Sequence, residues 1–227
     1  MARVLNITLI DTPNLYTDFK TQFTRVRFTL FVSGALALVS VLGVYTISVL
    51  GRIPLADLTR DPAAINNTQF YYGLLTYVNI VLWAAATAIC LLGAILIGSN
   101  PDYRRIRLFL LFGSVLNLLL LTDDALLLHE VVFPQMFGIK EKFVMGAYLL
   151  FTGAYLFAYL PEIRRSDYML LLLAIGGLGI SVVIDKILSM SDFVTFIEDS
   201  FKLFGIVFWT VYFARYVVNI VQSRFVR

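Results

Sequence analysis

The sequence predicts an all-α integral membrane protein: a bundle of six transmembrane helices, both termini cytoplasmic, with an N-terminal interfacial amphipathic helix. Three observations predict it. Of the 227 residues, 59% are hydrophobic and only 15% charged, whereas soluble domains run near half apolar and about a quarter charged. The mean hydropathy is +0.84. The apolar residues gather in runs of the roughly 20 residues that a helix needs to cross lipid. Finally, Lys and Arg collect on alternate connections between these runs, as expected for short cytoplasmic loops.

Residues 1–27 read as a cytoplasmic, interfacial segment. Thr12-Pro13 suits a helix cap and first turn. After it Leu15, Phe19, Phe23 and Val26 recur at helical spacing beside Lys20, Arg25 and Arg27, the pattern of a helix lying on the inner leaflet. The first apolar run begins only near Phe28, after a mixed-charge start, so no cleavable signal peptide is expected. Residues 28–222 form the six-span domain, and 223–227 a short basic tail. The spans run from about Phe28 to Leu50, Phe70 to Ile97, Ile106 to Phe133 (just before Pro134), Phe143 to Leu160, Met169 to Leu188 and Thr195 to Val221. Between the first two lies a polar loop with Pro54 and Pro62, where Asn66-Asn67-Thr68 matches the short glycosylation acceptor pattern. The fifth span carries Gly176, Gly177, Gly179 and Ser181, small residues that let helices approach closely or mark a hinge.

Six spans place Arg3, Lys20, Arg25, Arg27, Arg104, Arg105, Arg107, Arg164, Arg165, Arg215, Arg224 and Arg227 on one side. Arg52, Arg60, Lys140, Lys142, Lys186 and Lys202 fall on the other. Twelve against six makes the first side cytoplasmic, in a plasma or inner membrane. A net charge of +3 without a basic run excludes a nucleic-acid binder. Cys90, the single cysteine, forms no internal disulfide and reads as a small core residue.

Charged residues are costly inside a span, and here they gather at one level. Asp123, Asp124, His129 and Glu130 lie on the third helix, Asp185 and Lys186 on the fifth, Glu198, Asp199 and Lys202 on the sixth. At 1.5 Å per residue, Asp123 lies about 25 Å from Ile106 and Asp185 about 24 Å from Met169. Glu198 and Lys202 lie about 5 and 10 Å into the opposite-running helix. All sit just beneath the outer face of a hydrocarbon layer about 30 Å thick. The spacing puts Asp123 and Glu130 on one face two turns apart, and it puts Glu198 and Lys202 at i, i+4, in the favourable order for an ion pair. Mid-membrane Asn79 and Asn117 are placed to bond across helices. Tyr71, Tyr72, Tyr77, Tyr148, Tyr155, Tyr159, Tyr212 and Tyr216 read as an interfacial belt.

Six carboxylates against two lysines and one histidine leave an acidic surplus in these three helices. Its leading use is cation or proton handling, as in a small transporter or channel-like subunit. Asp123, Asp124, Glu130, Glu198, Asp199 and Asp185 bind or relay the cation, His129 titrates, and Lys202 supplies a counter-charge. A second reading is a metal-dependent enzyme acting on lipid at the outer leaflet. There Asp123, His129, Glu130 and Glu198 hold a divalent metal ion, which suits a carboxylate-rich site better than zinc. The third is a non-catalytic accessory or assembly subunit whose partners are the bilayer, further copies of itself or a membrane complex. Gly-x-Ser-x-Gly, His-Glu-x-x-His and Gly-rich phosphate loops are absent.

Overall fold

The computed structural model describes residues 15–59, 62–69, 71–187 and 191–225, and Thr12-Pro13 falls outside them. In chain order the helices are α1 (Leu15–Gly51), α2 (Leu55–Thr59), α3 (Pro62–Asn66), α4 (Leu74–Ile97), α5 (Arg104–Leu126), α6 (Phe133–Phe137), α7 (Glu141–Ala158), α8 (Leu160–Arg164), α9 (Tyr168–Ile187) and α10 (Asp192–Phe225). No strand occurs among the described residues. Four stretches are long and apolar enough to cross a membrane: Leu74–Ile97, Pro101–Leu126, Tyr168–Ile187 and Asp192–Ser223.

The chain divides into two compact units, Met1–Tyr72 and Gly73–Arg227. In the first, the stretch expected to hold an interfacial helix and then a span is one uninterrupted helix, α1, followed by the short α2 and α3. In the second, α4 packs along α5 and α10, and α10 along α9.

The core of the second unit is aromatic. Phe109 on α5 is buried among Tyr155, Phe213 and Tyr216, with ring centroids 5.5, 5.8 and 4.9 Å away. Tyr155 donates its hydroxyl proton to the Phe109 carbonyl at 3.1 Å. Tyr212, fully buried, shares a 3.0 Å hydrogen bond with Ser166. Tyr155, Tyr212 and Tyr216 are therefore core residues rather than belt residues, the hydroxyls of Tyr155 and Tyr212 each meeting a partner. Outward-facing Phe112, Val115, Leu172 and Val183 stay exposed, as lipid-facing side chains do.

The small-residue stripe of α9 resolves into one close crossing. A Cβ on Gly177 would lie 2.9 Å from the Gly205 Cα, and one on Gly205 would lie 2.7 Å from the Leu178 nitrogen. Backbone meets backbone there, so neither position has room for a side chain. Gly176 and Gly179 have nothing within 4 Å. Helix α9 is continuous through all three, so no break accompanies them.

The third apolar run does not continue as one helix to Phe133. Helix α5 ends at Leu126, and Leu127 takes the left-handed conformation, φ 51° and ψ 44°. A π-turn over Leu128–Val132 follows, then α6, with Pro134 in its first turn and Gly138 closing it at φ 66°. A left-handed leucine costs roughly 1–2 kcal/mol. It persists because the Asp123 side chain accepts the His129 backbone N–H at 3.0 Å, replacing a lost helical bond.

A carboxylate-lined cavity between four long helices

The break after Leu126 returns His129 toward Asp123. The His129 imidazole Nδ1 lies 2.6 Å from Asp123 Oδ2, while Asp123 Oδ1 accepts both the His129 backbone N–H and, at 3.0 Å, the Tyr148 hydroxyl from α7. The imidazole Nε2 faces Glu130 at 3.4 Å. The expected pairing of Asp123 and Glu130 on one helical face is thus replaced: the two acids flank one imidazole, because the chain leaves the α-helix between them. The Asp123 hydrogen bond raises the His129 pKa above its ordinary 6.5, against burial and assisted by the Asp123 and Glu130 charges.

Asp124, the next residue along α5, faces the other way. Trp83 on α4 donates its indole N–H to Oδ2 at 2.9 Å, and Lys202 on α10 donates to Oδ1 at 2.6 Å. Lys202 therefore pairs across helices with Asp124 instead of along its own helix with Glu198. Asp123 and Asp124 are both buried, and every carboxylate oxygen has a donor, the condition under which buried charge is tolerated. Beneath them Trp83 meets Trp209 edge-on at 6.2 Å, and Trp209 donates to Asn117 Oδ1 at 2.7 Å.

Asn117 also lies 3.5 Å from the Cys90 sulfur, so Cys90 rather than Asn79 is its neighbour on α4. Asn79 is eleven residues before Cys90, about 16 Å along the helix. The expected bond between the two asparagines does not form. Asn79 is buried, and its side-chain carbonyl has no partner among the described residues.

Asp123, Asp124 and their partners His129, Tyr148, Trp83 and Lys202 line one cavity of about 810 Å³. All eight residues singled out for an ion or proton role, Asp123, Asp124, His129, Glu130, Asp185, Glu198, Asp199 and Lys202, are on its wall. So are Glu141 and Lys186, which pair at 2.6 Å, with Asp185 also 2.7 Å from Lys186. Seven carboxylates stand against two lysines and one histidine. Glu198 and Asp199 form no ion pair among the described residues, and Glu130 is more than half exposed. Away from the acids the wall turns apolar, with Leu120, Leu149, Leu156, Ile175, Leu178 and Val182.

The sequence reading missed Trp83, Tyr148 and Glu141. The indole and the phenol supply the donors that buried acids need. Among the described residues no group of three or more His, Cys, Asp or Glu side chains is arranged to hold a metal ion. The divalent-metal arrangement anticipated at Asp123, His129, Glu130 and Glu198 thus lacks support: the Asp123 oxygens are taken by His129 and Tyr148.

Fold and site define a helical protein with four helices long and apolar enough to cross a membrane and a carboxylate-lined cavity at one end. The chain belongs to the family described as a domain of unknown function, DUF8692, whose model matches residues 29–216, a stretch holding every cavity residue named above. No curated protein matches the chain, and no solved structure does.

Proposed function

We propose that this chain is a cation- or proton-handling membrane protein, working as a small transporter or channel-like subunit through the α5–α7–α9–α10 cavity. One observation carries the reading: a single cavity holds seven carboxylates against two lysines and one histidine. Asp123 and Asp124 have built-in partners and organise the wall. Glu130, Glu198, Asp199 and Asp185 meet the incoming cation. His129, bonded to Asp123 and facing Glu130, passes protons between the buried acid and the exposed one. Lys202 is the internal counter-charge, held on Asp124. Such groups facing a water-accessible interior are the usual makings of ion and proton paths.

In this reading six helices cross the membrane, α1 and α7 joining the four above, and both termini are cytoplasmic. The support is the count of twelve Lys and Arg on one side against six on the other. The cavity then opens toward the outer leaflet.

The test is flux in proteoliposomes carrying the full chain, read by an internal pH dye under imposed proton, sodium and potassium gradients. Glu198→Gln and Asp199→Asn are expected to cut the flux by about tenfold, the effect of about 1.4 kcal/mol at the site. Flux equal to the wild type in both variants would overturn the reading.

A further inference from the structure

The carboxylate cavity does not end at its polar rim. A second cavity of about 730 Å³ lies toward the other end of α7 and α9, lined by Phe157, Leu160, Leu171 and Leu172, with Arg164 and Tyr168 where α8 passes to α9. Both cavities are walled by Leu156 and Ile175, so they meet at that level, in the gap between α7 and α9. From Tyr148, beside the acids, to Leu160 at the apolar end, the rise along the chain is about 18 Å. One leaflet of hydrocarbon is about half of 30 Å, or roughly 15 Å. From the acids to Leu160 the gap is thus one lipid chain long, acidic at one end and mainly apolar along that length, with Arg164 beyond it. The larger cavity alone lies in the range of roughly 300–1,000 Å³ typical of small-molecule sites.

We infer that the solute of this cavity is an amphiphilic organic cation: an alkyl chain bearing an ammonium head. The inference rests on the cation-handling reading above and names its substrate class. The head lies among Glu130, Asp185, Glu198 and Asp199, whose surplus of negative charge selects its sign. The chain lies between α7 and α9, against Leu156 and Ile175. A small inorganic ion would leave most of this volume unfilled, and a fatty acid would set its carboxylate against the acids. The glycines at the chain site fit this role. Gly153 on α7 and Gly179 on α9 both line the cavity, and a Cβ on either would meet nothing within 4 Å. They keep the channel open without serving a helix contact.

The protein carries its own probe. Its two tryptophans, Trp83 and Trp209, both line the cavity. The full chain in nanodiscs is titrated with bromine-labelled dodecylammonium, and tryptophan quenching is followed. Butylammonium and bromine-labelled dodecanoate serve as comparisons, the first read by its competition with the quencher. Saturable quenching by the ammonium, with affinity rising from butyl to dodecyl and little response to the dodecanoate, is the expected result. Gly153→Phe and Gly179→Phe fill the chain site and should weaken dodecylammonium about tenfold while leaving butylammonium competition unchanged. Glu198→Gln with Asp199→Asn should weaken both amines. The wild-type series stands by itself if a variant does not fold. Equal quenching by dodecanoate, or affinity independent of chain length, overturns the amphiphile while the cation reading survives. Amine binding indifferent to the Glu198 and Asp199 substitutions overturns both.

Discussion

The second unit carries carboxylate–cation pairs at both ends, and burial separates them. At the end holding the start of α5, Arg215 pairs with Asp167 at 2.7 Å with side chains 58% and 41% exposed, while Arg105, 60% exposed, reaches a Glu162 that is only 11% exposed. At the cavity end, Lys202 pairs with Asp124 and His129 with Asp123, and both aspartate side chains are 7% exposed. The chemistry is alike, but the consequences differ. Exposed pairs trade water for a partner at nearly equal free energy, typically about 0–1 kcal/mol. A buried carboxylate has lost its water altogether, so removing its partner leaves the whole desolvation cost uncompensated. The exposed Arg215–Asp167 pair is thus tolerant, while the partners of Asp123 and Asp124 are specified atom by atom.

The sharpest way to break this contrast is Lys202→Met. Asp124 would keep Trp83 and lose its only cation among the described residues, and the expected loss is about 3–5 kcal/mol, read as a fall in thermal stability in detergent. Adding Asp124→Asn should return much of it. A Lys202→Met protein that melts with the wild type would erase the distinction between the two ends.

His129→Gln probes the second buried acid, with a smaller effect of roughly 1.5–3 kcal/mol at acid pH. Its pH dependence has a definite sign. The folded-state pKa lies above 6.5, so the stabilisation is fully present below 6.5 and is lost as pH rises through the folded value. Wild type and variant should therefore diverge most in melting temperature at acid pH and converge in alkali. The reverse trend would show that the imidazole is not the charged partner. The smallest effect belongs to Arg215→Met at the exposed end: at most about 1 kcal/mol, and erased by salt. A loss as large as that of Lys202→Met would contradict the comparison.

Much of this organisation was readable beforehand. The rise per residue is the same in every helix, so counting from the apolar boundaries brought residues of three helices to one depth, and the structure sets those residues around one cavity. What counting could not supply was azimuth. Helices α4 and α7 are apolar nearly all round, which leaves no face to orient. Nothing in the spacing therefore directed Trp83 and Tyr148 to the aspartates, or Cys90 rather than Asn79 to Asn117. The turn at Leu127 was hidden for another reason: left-handed positions are usually marked by Gly or Asn, and here a side-chain acceptor four residues earlier does that work. The role of Gly177 depended on Gly205, a lone glycine in α10 that a search for small-residue runs passes over.

The two adjacent aspartates also differ in when their partners exist. His129 follows Asp123 by six residues, so that pair closes within the segment just synthesised. Asp124 waits for Lys202, 78 residues later. At about 5–20 residues per second, the ribosome needs roughly 4–16 s to supply it. Trp83, made 41 residues earlier, is the donor already in place during that interval. The order of synthesis thus makes one aspartate self-sufficient at birth and leaves its neighbour dependent on α10, made 78 residues later.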